Sequence, residues 1–205
     1  MRVRTRDGTL IEAASVIVAA GAWIGDLVPA LAPHLTLTRQ VLGWFSPREP
    51  ELFRPERCPV FILQGEDDAV YGFPDFAGTG VKAASHDAGE TLTDADMLSR
   101  RPGDDADEAR IRRFLDRHIP AASGPLRRMQ ACIYSRTPDE DFVVDLHPED
   151  PRIVVASPCS GHGFKFSSVM GEVLADLALE GGTAHDISRF RIDRLLAAAP
   201  VPETA

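Results

Sequence analysis

Helical periodicity is confined to two long stretches of this 205-residue chain, and that scarcity constrains the fold more than any other feature. From Asp105 to His118, Ile111, Phe114 and Leu115, with Ile119 beyond, recur at helical spacing, acids early and basic residues late, as the macrodipole favours. From Ser167 to Leu179, Val169, Met170, Val173, Leu174, Leu177 and Ala178 share a face, and Gly181-Gly182 ends the run. Most of the remainder is short apolar runs between turn formers, the pattern of strands. Arg2 to Thr5 and Leu10-Ile11 flank an Asp7-Gly8 turn and read as a hairpin. Ser15 to Ala20 reads as a buried strand bounded by Gly21, and Ala22 to Leu31 as a short helix stopped near Pro33. Extended segments follow at Leu35 to Phe45, at Val60 to Leu63 and Val70 to Phe73 around a turn at Glu66-Asp67-Asp68, and at Gly80 to His86. Residues 87 to 107 read as a long polar surface loop. Strands return at Leu126 to Tyr134, Asp141 to Leu146 and Arg152 to Ala156, and the tail from Ala197 reads as frayed. The expected class is α/β (α+β): one body with a mixed, largely antiparallel sheet and a few helices.

A chain of this length can bury one sizeable core, or a core with a small appendage. A formal net charge of -9 argues against a nucleic-acid surface, which needs clustered Lys and Arg. No apolar run approaches the roughly 20 residues that cross a bilayer, and the start lacks the apolar stretch of a secretory signal. Cys58, Cys132 and Cys159 are odd in number and widely spaced, which fits a reducing cytoplasm better than a disulfide framework or a paired-cysteine metal site.

Three segments carry chemistry. Cys159-Ser-Gly-His-Gly-Phe-Lys-Phe166 runs from a strand into a helix. Gly161 and Gly163 around His162 permit close backbone approach to a ligand, the helix start offers N–H groups and partial positive charge, and Lys165 adds a full charge. That set suits an anion; a glycine-rich turn with Lys165 merely solvated is the plainer alternative. Cys132 lies in a strand, where cysteine is usually a small hydrophobe. A thiolate would need a basic neighbour, and Arg127, Arg128 and Arg136 are close in sequence. Lys82, in an apolar strand pattern, either snorkels to solvent or faces a functional cavity, and His86 would share its face. Other matches fail. Gly78-Thr-Gly80-Val-Lys-Ala83 spells a dinucleotide fingerprint without a helix to open, and the histidines lack metal-ligand spacing. Asp104, Asp105 and Asp107 read as helix-start charges rather than a calcium loop.

Taken in order, these blocks resemble the monomeric sarcosine oxidase and N-methyltryptophan oxidase family. The match begins at Val16-Ile-Val-Ala-Ala-Gly-Ala-Trp23 and passes through Tyr71-Gly-Phe-Pro74, Lys82 and His86. It continues through Cys132-Ile-Tyr-Ser-Arg-Thr-Pro-Asp139, Phe142 to Pro148, and Ser160-Gly-His-Gly-Phe-Lys-Phe-Ser-Ser168. The resemblance implies a remnant of an FAD-binding domain over 1–34, a substrate domain over 35–130, a return to the FAD-binding domain over 131–196 and a flexible tail over 197–205. It implies FAD held by a thioether from Cys132, with Gly21, Trp23, Gly161, His162, Gly163, Phe164 and Lys165 beside the cofactor. Lys82 and His86 would be catalytic, Lys82 supporting reduction of O2, while Tyr71, Tyr134 and Lys165 would bind substrate, Lys165 through its carboxylate. The implied reaction oxidises the C–N bond of a secondary (N-methyl) amino acid by hydride transfer to flavin, with O2 reduced to H2O2.

The sequence departs from the family in lacking a strand-Gly-x-Gly-x-x-Gly-helix element for the ADP part of FAD. The family's N-terminal carboxylate-pairing arginine also lacks a counterpart, and Cys159 stands where a small or apolar residue is expected. A truncated gene, a wrong start or a split enzyme would account for the first. A separate chain carrying the missing segment, or a homo-oligomer, would complete the site. The competing expectation is a non-catalytic remnant or binding module for an amino-acid-like carboxylate or a protein partner.

Overall fold

The computed structural model describes residues 1–65, 69–86, 89–100 and 103–197. The expected turn at 66–68 and the tail beyond Ala197 lie outside the described residues. In chain order the first strands are β1 (Arg2–Arg4), β2 (Leu10–Glu12), β3 (Val16–Val18), β4 (Thr36–Phe45), β5 (Phe61–Gln64) and β6 (Ala69–Phe73). Then come β7 (Val81–Ser85), β8 (Glu90–Leu92), β9 (Leu126–Arg136), β10 (Val143–Leu146) and β11 (Ile153–Ser157). The α-helices are α1 (Ile24–Leu27), α2 (Asp105–His118), α3 (Ser167–Glu180) and α4 (Asp193–Leu196). The chain forms two compact units, one of Met1–Thr36 with Tyr134–Ala205 and one of Leu37–Ile133.

In the first unit β1 and β2 form the expected hairpin, and β10, β11 and β3 form a three-stranded sheet. The β10–β11 pair is antiparallel and β11–β3 is parallel. Both faces of β10 and β11 are buried, so their residues are mostly apolar, and the buried Asp145 of β10 accepts the Ile192 N–H at 3.0 Å. Val144 and Val154 pack with Phe142, Met170, Val173 and Leu177; Val143 and Val155 pack with Ile24, Val28, Leu31, Ile192 and Leu195. Arg194 and Arg189 pair with Asp139 and Asp141 at 2.7 Å, tying the last residues to the β9–β10 turn.

In the second unit the strand order is β5-β6-β7-β4-β8, with β9 also paired to β4. Helix α2 covers one face, where Ile111, Phe114 and Leu115 pack with Phe45, Val70, Val81 and Ala83. Its start is fixed by a capping box. The Asp104 carboxylate accepts the N–H groups of Ala106 and Asp107 at 3.0 Å, and the Asp107 carboxylate accepts that of Asp104. Asp107 also receives both terminal nitrogens of Arg39, at 2.6 and 3.1 Å, clamping the helix to β4. These acids are therefore helix-start charges, as expected.

Four expectations change. Residues 87–107 are not simply a loop: β8 pairs with β4 through Leu37 and Leu92, and Ala95–Arg100 is a 3-10 segment. Buried Leu92 anchors a strand too short for a periodic signal. The helix expected over 22–31 is one turn, α1, between 3-10 turns at Gly21–Trp23 and Ala32–His34, because Pro29 and Pro33 each withhold a backbone donor. Strand β3 is not fully buried, Ile17 being 42% exposed. Three apolar clusters in two units replace the single core. Among the described residues no helix is long and apolar enough to cross a membrane.

Candidate functional site

The face of the second unit's sheet opposite α2 carries the polar candidates. Strand register sets them in rows: Phe73, Lys82 and Trp44 stand side by side across β6, β7 and β4, and Ile62, Tyr71, Ala84 and Leu42 form the next row. The Lys82 ammonium is 4.6 Å from the Phe73 ring centroid and 5.7 Å from that of Trp44. Burial weakens its hold on its proton; Cys132 opposes that shift and the Arg128 charge adds to it. Tyr71 meets His86 edge to face at 5.8 Å and Phe73 at 6.2 Å. Tyr71, Phe73, Lys82 and His86 thus belong to one group. Trp44 was missed in the sequence, Phe73 was noted only within the Tyr71-Gly-Phe-Pro74 block, and Arg128 only as a basic neighbour of Cys132; for the two aromatics, the period-2 rows on either side of Lys82 were the available signal.

Cys132 projects from β9, half-buried. Burial pushes its thiol up, and Lys82 only partly offsets this, so the sulfur is protonated at neutral pH. The cation acting on it is Lys82, from another strand, and not the arginines near it in sequence. Arg127 bonds Ser46 and the Gly78 carbonyl, Arg128 stacks on Trp44, and Arg136 pairs with Glu140. The Gly78-Thr-Gly80 match leads into β7, with the Asp75 carboxylate accepting the Gly80 N–H at 2.8 Å, so no helix opens there.

In the first unit the 159–166 block forms the turn from β11 into α3, entered through a 3-10 segment at Phe164–Phe166. Its two glycines are required by the chain itself. Gly161 has φ +78°, and a Cβ there would lie 2.7 Å from the Tyr134 ring; one at Gly163 would collide with the Pro158 carbonyl. The expected reason for them, ligand approach, is not needed to account for either. Ser160 donates its N–H to the Ser135 carbonyl at 2.9 Å, docking the turn on β9.

His162 Nε2 lies 3.0 Å from the Glu140 carbonyl, which can only accept, so Nε2 carries the proton and Nδ1 faces Lys165 at 3.4 Å. Burial and then the Lys165 charge lower its pKa, keeping the ring neutral. Lys165 donates to the His162 carbonyl at 2.8 Å and reaches the Phe166 ring at 5.0 Å. Phe164 is 93% exposed. Cys159 is half-buried, its thiol pushed up by burial against a Ser157 hydrogen bond. Gly21 and Trp23 form the 3-10 turn after β3, where the Trp23 N–H is already donated to the Ala20 carbonyl. Among the described residues, no three His, Cys, Asp or Glu side chains are placed to hold a metal.

One feature of the sequence joins the two groups. Lys and Arg together number 22, and only Lys82 and Lys165 are lysine. Arginine serves the rest of the chain. Lysine differs as a compact charge whose proton is readily lost when buried.

The model of the DAO family, described as FAD dependent oxidoreductase, matches residues 1–177. The chain belongs to that family. It is 41% identical over 195 residues to a monomeric sarcosine oxidase of Bacillus sp. (strain NS-129), covering 94% of this chain and 50% of that protein. An N-methyl-L-tryptophan oxidase of Yersinia pestis (strain Pestoides F) is 36% identical over 197 residues, with 94% and 50% covered. The chain thus spans about half the length of the curated relatives it matches. Among solved structures, NikD, an amino acid oxidase of nikkomycin biosynthesis, superposes with a TM-score of 0.74 at 23% identity, covering 93% of this chain and 50% of that one. Amadoriase I from Aspergillus fumigatus gives 0.74 at 25% identity, covering 95% and 46%.

Proposed function

We propose that this chain is the substrate-side part of an FAD-dependent amine oxidase acting on a secondary, N-methyl amino acid. The observation that carries the reading is the Lys82 ammonium, half-buried beside the Phe73 and Trp44 rings, with the half-buried Cys132 thiol of another strand within reach of its charge. Those residues fit a planar electron acceptor attached through sulfur. Such a ring needs apolar walls, a nucleophile at its edge and a nearby positive charge, and the face supplies all three. Residues 37–133 then form the substrate-side domain, with the flanking segments belonging to the FAD-binding domain.

FAD, when bound, would accept a hydride from the carbon next to the substrate nitrogen and pass two electrons to O2, giving H2O2. The chain's own residues do the rest. Cys132 Sγ would hold the cofactor by a thioether at its 8α carbon, a bond that replaces the S–H and one C–H there and whose two electrons the flavin ring would take up and pass to O2. Lys82 places positive charge where oxygen gains electrons, in surroundings dry enough for that charge to count. Tyr71 and His86, braced edge to face, orient the amine. In the first unit Lys165 offers its ammonium to the substrate carboxylate, with Tyr134, Gly161, His162, Gly163 and Phe164 shaping the turn around it. Gly21 and Trp23 complete the cofactor contacts of that unit.

Covalent attachment gives the test. Chain refolded with FAD and reoxidised in air should keep its yellow colour through acid precipitation, and Cys132→Ser should lose all of it. Complete release of flavin by acid from the unaltered chain would sink the assignment of Cys132.

A further inference from the structure

The Trp44 indole carries cations from two strands. The Arg128 guanidinium of β9 lies 3.9 Å from the ring centroid, and the Lys82 ammonium of β7 lies 5.7 Å from it. Attraction of a cation to a ring face extends to about 6 Å. Arg128 is therefore in close contact with the indole, whereas Lys82 lies near the limit of its pull and nearer to Phe73, at 4.6 Å. The two cations differ in kind. A guanidinium is planar and stacks, fixing the plane of the ring beneath it; an ammonium is a point charge on a flexible stem, placed by whatever surrounds it.

Trp44 and Phe73 are the cross-strand neighbours of Lys82 on either side, so the plane of the indole limits where Nζ can go. Among the described residues, the titratable or charged groups acting on Lys82 are Cys132 and Arg128, both from β9; β4 and β6 present the Trp44 and Phe73 rings. Two cations near one ring also repel, and arginine does not give up its proton. We propose that Arg128 and Trp44 form a clamp that positions the Lys82 ammonium on the open sheet face, Arg128 acting through the indole it stacks on and through its own like charge. Arg128 is a positioning residue in this arrangement. What the clamp serves rests on the reading of Lys82 given above; the clamp itself does not.

With two lysines in the sequence, lysine labelled with 13C at the ε carbon gives two resonances, assigned by Lys165→Arg. Their titration can be followed in the full chain, with or without flavin. Arg128→Gln should raise the midpoint of Lys82 by about half a pH unit and leave Lys165 where it is. Arg128→Lys should restore the midpoint in part, since it returns the charge but not the stacked plane. An unmoved Lys82 in folded Arg128→Gln protein overturns the clamp. Should that variant fail to fold, Trp44→Leu decides in its place: removal of the shared ring must move Lys82 alone, and an unmoved Lys82 again overturns it. If flavin-loaded Lys82→Met protein reacted with O2 at the unaltered rate, the oxygen role would fall and the clamp would stand.

Discussion

On the face of the six-stranded sheet that α2 covers, Phe45, Val70, Val81 and Ala83 are buried against Ile111, Phe114 and Leu115. On the other face the alternate residues of the same strands are Trp44, Tyr71, Phe73 and Lys82, all half-buried. Charge is handled differently on each. Arg39, on the covered side, has a carboxylate in bidentate contact, whereas Lys82 meets two rings, a thiol and the field of another cation. The covered face is arranged to hold the unit together. On the open face burial weakens the hold of Lys82 on its proton, which is the pattern expected of the role proposed for it above.

Three experiments would break or sharpen that contrast. The largest effect belongs to the covered face: Leu115→Ala should cost about 2–5 kcal/mol in a urea melt, and a loss under about 1 kcal/mol would show that α2 does not seal a packed core. Next is the paired charge. Burial pushes the Asp107 carboxyl up, but the Arg39 hydrogen bond, the Asp104 N–H and the Arg39 charge outweigh it and leave it lowered. A lowered carboxyl stabilises the fold above its unfolded pKa of about 3.9, and that contribution fades as pH falls through the lower folded value. Asp107→Asn should therefore cost about 3 kcal/mol at pH 7, and the deficit should shrink as pH drops below about 4. A deficit independent of pH would assign it to packing. The smallest effect is on the open face, where Lys82→Met should change stability by no more than about 0.5 kcal/mol, in either direction. A loss as large as that of Asp107→Asn would erase the distinction between the faces.

Much of this fold was legible because periodicity and capping are local. Helix α2 begins and ends where the sequence reading put it, since Asp104 caps it and its apolar stripe stops at Leu115. The β5–β6 pairing and β7 follow from alternation. Strand β8 was not legible: three residues with one buried side chain leave no period, and their partner lies on β4, far back in the chain. The site divides the same way. That Lys82 and His86 share a face follows from even spacing, and Tyr71 indeed touches His86. That the charge near Cys132 is Lys82 depends on β9 lying beside β4, which no local pattern encodes. The glycines at 161 and 163 were found as signals, but the sequence could not show that Tyr134 and Pro158 are what require them.

Strands β4 and β9 pair with each other, and both continue past the boundary between the units: β4 begins at Thr36 and β9 ends at Arg136. The second unit is thus an insertion whose entry and exit run through a single pair of neighbouring strands. This bears on the order of folding. The parallel β3–β11 pair must close across the whole insertion, a long-range contact of the kind that slows folding. Once the inserted unit has formed, its entry and exit are already held together, and the loop left to close is far shorter. Each halving of a flexible loop lowers the closure cost by about 0.6 kcal/mol. The middle of the chain is therefore placed to fold before its two ends, acting as the template that brings them together.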